Sequence, residues 1–338
     1  MRAIATCEFL LSPALCDSKF VDDFFLSLTQ LHSDLIHSST PPLIEDDAYT
    51  KLLNSDRFPT DKVFSENIKD NGISVFSAPD ITRIVNKILV DAKSLADMDD
   101  YWIQEWDNLL ITLSVQEITD QRKEELRNFF STLAIYSLSK NQPVCALHYC
   151  TASQSSTVVE GALIDAYPLE INYPVLISEE ISIFHEYKLF LSVIGHEFFL
   201  AHAHSEYDLK LSLYAGLLKL KAQAGLPFES IELDSFSLGP DFVNSLKRNQ
   251  SYVGGTYTNV VFDTVTSLLA GTPKNTVSPF RISSNSTTQR LSSDKSMRAF
   301  RMHITSSGVA LRLLFWKRTD DSILLANIGP KNECMISE

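Results

Sequence analysis

The stretch from Leu291 to Lys331, LSSDKSMRAFRMHITSSGVALRLLFWKRTDDSILLANIGPK, decides how the chain is read. Apolar, aromatic and β-branched residues gather there into runs at Met297 to Thr305, Val309 to Lys317 and Ser322 to Ile328. The breaks between them, Ser306-Ser307-Gly308 and Thr319-Asp320-Asp321, are turn-forming residues. With a further run at Thr288 to Leu291 they predict a β-meander. Upstream, a short strand is expected at Ser230 to Leu233, followed by helices near Asp241 to Lys247 and Thr256 to Leu269. The second helix carries Val260, Val261, Val265, Leu268 and Leu269 as its apolar residues. The expected order is β-α-α-β-β-β-β, a mostly antiparallel twisted sheet.

Working outward, a helix from about Ser205 to Ala224 stops at Gly225 with Pro227 just beyond. That stop marks a domain boundary, giving 1–227 and 228–338, and 338 residues suit two cores better than one. In the first part, Asp17 caps an expected helix with Phe20, Val21, Phe24, Phe25, Leu28, Leu31 and Leu35 along one stripe. A second helix starts at Ser77 with Pro79 in its first turn, and a third runs from Asp120 to about Lys140-Asn141. Strands are expected at Gly72 to Phe76, Pro143 to Cys150 and Thr157 to Ala166. No regular βαβ alternation links them, so the fold class is α+β throughout. A glycine-rich phosphate loop is missing, which argues against the common modes of nucleotide binding.

Charge divides the chain as well. The whole sequence carries 29 Lys and Arg against 42 Asp and Glu, a net charge of −13. From Glu229 onward the count is 12 against 10, and between Lys274 and Lys331 it is 10 against three. An average this acidic argues against simple nucleic-acid binding by the whole molecule, whereas the basic segment can meet phosphate.

The histidine-rich stretch around His185, His196, His202 and His204 invites a metal reading. Its spacing argues otherwise. A zinc helix presents histidines at i and i+4, and His196 and His202 are six apart. His185 and His196 share a helical face, so a metal-dependent enzyme is the outside reading, and no metal or other cofactor is expected. In Cys145-x-x-His148-x-Cys150, strand alternation sends Cys145 and His148 to opposite faces, as in an ordinary core strand. No catalytic-serine elbow is present. Five scattered cysteines point to a reducing, cytoplasmic setting. Glu8 interrupts what would otherwise read as a short signal-like start, and a buried first strand is expected there instead. The apolar stretch from Leu189 to His204 is broken by His196, Glu197, His202 and His204, so no membrane role is expected.

The β-α-α-β-β-β-β order, with LSSDKSMRAFRMHI, ALRLLFW and ILLANIGPKNE in succession, resembles the RelE/ParE superfamily of bacterial toxins over about residues 229–336. Nothing comparable identifies the N-terminal part. The resemblance implies a small sheet with a cationic concave face suited to an RNA backbone. It places Arg312 at the phosphate-stabilising arginine, Arg301 on the preceding basic strand and Lys331 at the family's late basic residue. His303 is the nearby imidazole able to move a proton. Arg298, Arg301, Lys317, Arg318, Arg290 and Lys295 supply the expected RNA-binding charge. Members active as ribonucleases carry a Tyr or His near the C-terminus, and Asn332-Glu333-Cys334-Met335-Ile336 has neither, so the catalytic set is incomplete. Arg312 has a structural alternative, a strand-pinning pair with a carboxylate such as Glu333.

Two functional expectations follow. One is a RelE-like effector that binds RNA or the ribosome, and cleaves RNA if its set suffices, restrained by the acidic N-terminal domain. The other is a non-catalytic subunit that docks on protein partners in a bacterial, phage-defence type of complex.

Overall fold

Arg2 to Ala5 form the first strand, β1, almost entirely buried, as the apolar start of the chain leads one to expect. The computed structural model describes residues 1–71, 75–98, 102–113, 119–150, 154–228, 231–283, 286–305 and 309–338. It divides into two units, Met1–Phe190 and Leu191–Glu338, both of α+β class.

In the first unit β1 is followed by α1 (Cys7–Leu10), α2 (Ser12–Leu15), α3 (Val21–His37), β2 (Leu43–Ile44), α4 (Ala48–Asn54), α5 (Asp61–Asn71) and α6 (Ala78–Asp91). Then come β3 (Ile103–Ile111), α7 (Asp120–Lys140), β4 (Val144–Leu147), β5 (Ser156–Tyr167) and β6 (Val175–Phe184). One mixed sheet results, ordered β2-β1-β4-β6-β5-β3. Its β2, β1, β4 and β6 are mutually parallel, and β5 and β3 continue it antiparallel. All four residues of β4 are buried, the pattern of an interior parallel strand. Helix α7 begins where the Thr119 hydroxyl accepts from Arg122 N, and ends where Asn141 turns left-handed at φ 48°. Its Leu126, Phe129, Phe130 and Leu133 share a core with Val159, Leu163, Ile177 and Ile181 of the sheet.

The helices expected from Ser77 and Asp120 are present, the first with the capping box that Ser77 and Asp80 form. Asp17 caps a short 3-10 turn, Ser18–Phe20, that leads into α3, so Phe20 stands outside the buried stripe. Of the strand expected at Gly72 to Phe76, residues 72–74 lie outside the described residues, and Val75 and Phe76 form a bend ahead of α6. Strands β2, β3 and β6 were not foreseen.

Helix α8 (Tyr187–Ile194) carries the chain onward to α9 (His196–Ala201), α10 (Glu206–Gln223), β7 (Phe236–Leu238), α11 (Phe242–Arg248) and α12 (Thr258–Leu269). Strands β8 (Val277–Pro279), β9 (Arg298–His303), β10 (Leu311–Lys317) and β11 (Ile323–Pro330) complete the unit. The division therefore falls upstream of the expected 227/228 boundary. Although Gly225 does end α10, with φ at 64°, that helix packs along α12 and so belongs with the strands that follow.

The second sheet has the order β7-β11-β10-β9-β8, with β7 parallel to β11 and the other pairs antiparallel. Two strands lie elsewhere than expected. Ser230 is outside the described residues and Leu233 opens a 3-10 turn, so the first strand is β7. At Thr288 to Leu291 there are only isolated bridges, Arg281 with Gln289 and Leu291 with Arg298, and β8 takes the place beside β9. Because β7 spans only Ile323 to Leu325 of β11, the rest of that edge needs other partners. Ser245 Oγ accepts from Ile328 N at 2.9 Å, and Asn249 Nδ2 donates to Ile328 O at 2.9 Å.

One face of this sheet is closed by the chain's own C-terminus. Ala299, Leu314, Trp316 and Ala326 share a core with Phe280 and Ile336. Trp316 Nε1 donates to Ser337 O at 2.6 Å, and Asn327 binds Met335 O and Ser337 N. Among the described residues no helix is long and apolar enough to cross a membrane.

Candidate functional site

The β9–β10 register sets Arg312 opposite His303, Leu314 opposite Arg301 and Trp316 opposite Ala299. Since side chains alternate between faces, these six share one face. Ala299, Leu314 and Trp316 lie under the C-terminal tail, and Arg301, His303 and Arg312 occupy the same face at the other end of the strand pair. Lys331 follows β11 directly, and its carbonyl accepts from Arg312 Nη1. The alternative pairing of Arg312 with Glu333 is not seen among the described residues. Glu333 Oε1 instead accepts from Met335 N at 2.9 Å. Arg312 Nε is buried without a hydrogen-bond partner, and among the described residues no carboxylate lies within ion-pair distance of Arg312.

Partial burial, then the positive charges of Arg312, Arg301 and Lys331, holds His303 below the ordinary imidazole range. The ring is accordingly neutral at pH 7. Desolvation and the charge of Arg301 lower Arg312 in the same way, from a starting value so high that the guanidinium stays charged. A neutral imidazole beside two guanidinium groups and an ammonium group is able to accept a proton while the cations hold an anion.

The remaining basic residues are dispersed. Arg298 and Lys317 face each other in register but on the opposite face, where Lys317 Nζ lies 5.8 Å from the Phe300 ring centre. Arg318 lies in the turn before β11, its Nη1 3.4 Å from Ser322 Oγ. Lys295 occupies a tight turn at φ 61°, beside an Asp294 carboxylate that Ser292 and Ser296 hold down to about 2. Arg290 donates to Cys334 O and Ile282 O and covers the Phe280 ring, which makes it a clamp on the tail. The expected cationic surface thus contracts to Arg301, Arg312 and Lys331 around His303.

The histidines weighed as metal ligands are held by their own neighbours. His185 Nε2 is 3.9 Å from Glu186, and His196 stacks on Phe262 with Asp263 at 3.4 Å. Among the described residues no group of three or more His, Cys, Asp or Glu is placed to hold a metal ion.

A second constellation, in the first unit, escaped the sequence reading. Thr6, Glu45 and His148 each follow directly on a parallel strand, β1, β2 and β4, at the carboxyl ends of the strands, where open α/β sheets place polar sites. Arg122, in the first turn of α7, binds Glu8 through Nε at 2.7 Å and Nη2 at 2.8 Å, and Glu45 through Nη1 and Nη2, both at 2.8 Å. Lys51 Nζ lies 3.3 Å from the fully buried Glu45, and Thr6 Oγ1 is 3.0 Å from His148 Nδ1. Burial alone would raise Glu8, but hydrogen bonds and charge from Arg122 outweigh it and lower the carboxyl to about 2. Burial pushes His148 down and Cys7 up. Glu8, Arg122 and Glu125 line a cavity of about 360 Å³. No buried side-chain atom of Thr6, Glu8, Glu45, Arg122 or His148 lacks a hydrogen-bond partner, so the cluster serves to tie β1, β2, β4 and α7 together. Only a recognised β2 would have put Glu45 beside Glu8.

Compared with family models, curated proteins and solved structures, the chain matches none.

Proposed function

We propose that the second unit is a RelE-like RNA-binding domain whose ligand is the phosphate backbone held by Arg301, Arg312 and Lys331. The observation that carries this reading is the sharing of one sheet face by Arg301, His303 and Arg312, with Lys331 directly after β11 and no carboxylate paired to Arg312 among the described residues. Such a guanidinium, partly desolvated and with a buried unpartnered Nε, gains strongly from an anionic ligand. In this reading His303 takes the proton of a 2′-hydroxyl as that oxygen attacks the adjacent phosphate, and the cations offset the charge that develops. Five free cysteines fit a reducing cytoplasm.

The test is to incubate the full-length protein with a labelled single-stranded RNA and with the same oligonucleotide built from 2′-deoxynucleotides. Retention of the RNA, lost in Arg312→Ala and Lys331→Ala, supports the reading. Equal retention by the wild type and both variants contradicts it. Products that appear only with the ribose form, and vanish in His303→Gln, extend it to an endoribonuclease.

A further inference from the structure

The first unit carries an unpartnered sheet face of a different chemistry. Strands β3, β5 and β6 bury one face against α7. Register and alternation place the following on the other face: Ile103 beside Tyr167, Glu105 beside Asp165, Asp107 beside Ala162 and Leu176, Leu110 beside Glu160 and Ser178, and Val158 beside Glu180. The apolar members are open to solvent, with Leu176 at 85%, Tyr167 at 69%, Ile103 at 67% and Leu110 at 64% exposure. The acidic members, Glu105, Asp107, Glu160, Asp165 and Glu180, are exposed too. The three strands contain no Lys or Arg, and among the described residues none of these carboxylates has a cation in ion-pair distance.

Both features cost the free protein stability. Large apolar groups left in water forgo burial. Glu105 and Asp165, directly opposite in register, repel each other. A partner that supplies apolar surface and positive charge together relieves both. We propose that this face is a docking surface for a lysine- or arginine-rich amphipathic helix of a partner protein.

Geometry favours a helix on the face over a strand at the edge. Although β3 ends the sheet, Asn108 is left-handed at φ 53° and the β3 register shifts twice, which blunts that edge for strand addition. From Val158 to Tyr167 the face runs about 30 Å at roughly 3.3 Å per residue. A helix of about 20 residues covers that length. Its apolar stripe meets Tyr167, Leu176, Leu110 and Val158, and its flanking cations meet the five carboxylates. The same carboxylates repel RNA, which keeps this surface chemically separate from the cationic face of the second unit.

The test uses full-length protein and a fluorescent helical peptide of about 20 residues, leucines on one stripe and lysines on the flanks. A composition-matched isomer with the stripe scrambled is the control. Binding is read by anisotropy in the wild type, in Leu176→Asp and in the double variant Glu105→Lys/Asp165→Lys. Their exposed positions leave the melting temperature little changed, which circular dichroism checks. The expected result is binding that falls at least tenfold in each variant and at least tenfold for the scrambled peptide. Failure of the striped peptide to bind, equal binding of the scrambled one, or unchanged affinity in the variants overturns the proposal.

Discussion

Arg312 stands directly across from His303 between β10 and β9, and the guanidinium charge is among the causes that hold the imidazole neutral. A charged phosphate between them reverses that influence, because an anion favours the protonated ring. RNA affinity is therefore expected to rise as pH falls below 6.5, the ordinary imidazole value. Anisotropy titrations across that range should show the rise in the wild type and a flatter profile in His303→Gln. Identical profiles would place the bound phosphate away from His303.

The cluster around Arg122 predicts a large, asymmetric response to mutation. Arg122→Met takes the guanidinium from both Glu8 and Glu45, leaving Lys51 as the cation beside Glu45, and should cost about 3 kcal/mol. The triple variant Arg122→Met/Glu8→Leu/Glu45→Leu removes all three charges and should recover most of that loss. Urea unfolding followed by circular dichroism measures both. A triple variant no more stable than the single one would mean that the ions contribute more than their mutual neutralisation.

The same cluster makes the first unit sensitive to acid, and two groups act with one sign. His148 is held below 6.5 by burial, so the unfolded chain takes up its proton first and stability falls as pH drops below 6.5. Glu8 is lowered from 4.5 to about 2, so its contribution is complete above 4.5 and disappears as pH falls toward 2. Melting temperatures measured from pH 8 downward should decline in two stages, and His148→Gln should flatten the upper one.

The tail should matter to the second sheet out of proportion to its length. Ile336 is buried in the small core with Leu314 and Trp316. Ile336→Ala should cost about 2 kcal/mol, and it should shift tryptophan emission to the red as water reaches the Trp316 ring. Unchanged emission would show that the tail does not shield it.

How much of this was legible in the sequence depended on how local the signal was. The helices at Ser77 and Asp120 announced themselves through caps and apolar spacing, because both are properties of neighbouring residues. Strands β9, β10 and β11 were legible for the same reason. β2, with two residues, and β7 and β8, with three each, are too short to carry a pattern, and the left-handed Asn108 breaks the period of β3. Arg290 looked like one more surface cation because its role depends on the tail folding back to offer Cys334 O. Glu8, Glu45 and Arg122 are scattered over more than a hundred positions and meet only through the parallel sheet.

The most direct measurement is the salt dependence of RNA binding. Each phosphate neutralised on a single strand contributes about −0.7 to the slope of log affinity against log salt. With Arg301, Arg312 and Lys331 as the contacts, the wild-type slope should be about −2 and should flatten by about 0.7 with each of the three alanine substitutions. A slope that stays unchanged when Arg312 is removed would contradict the assignment of this face to RNA.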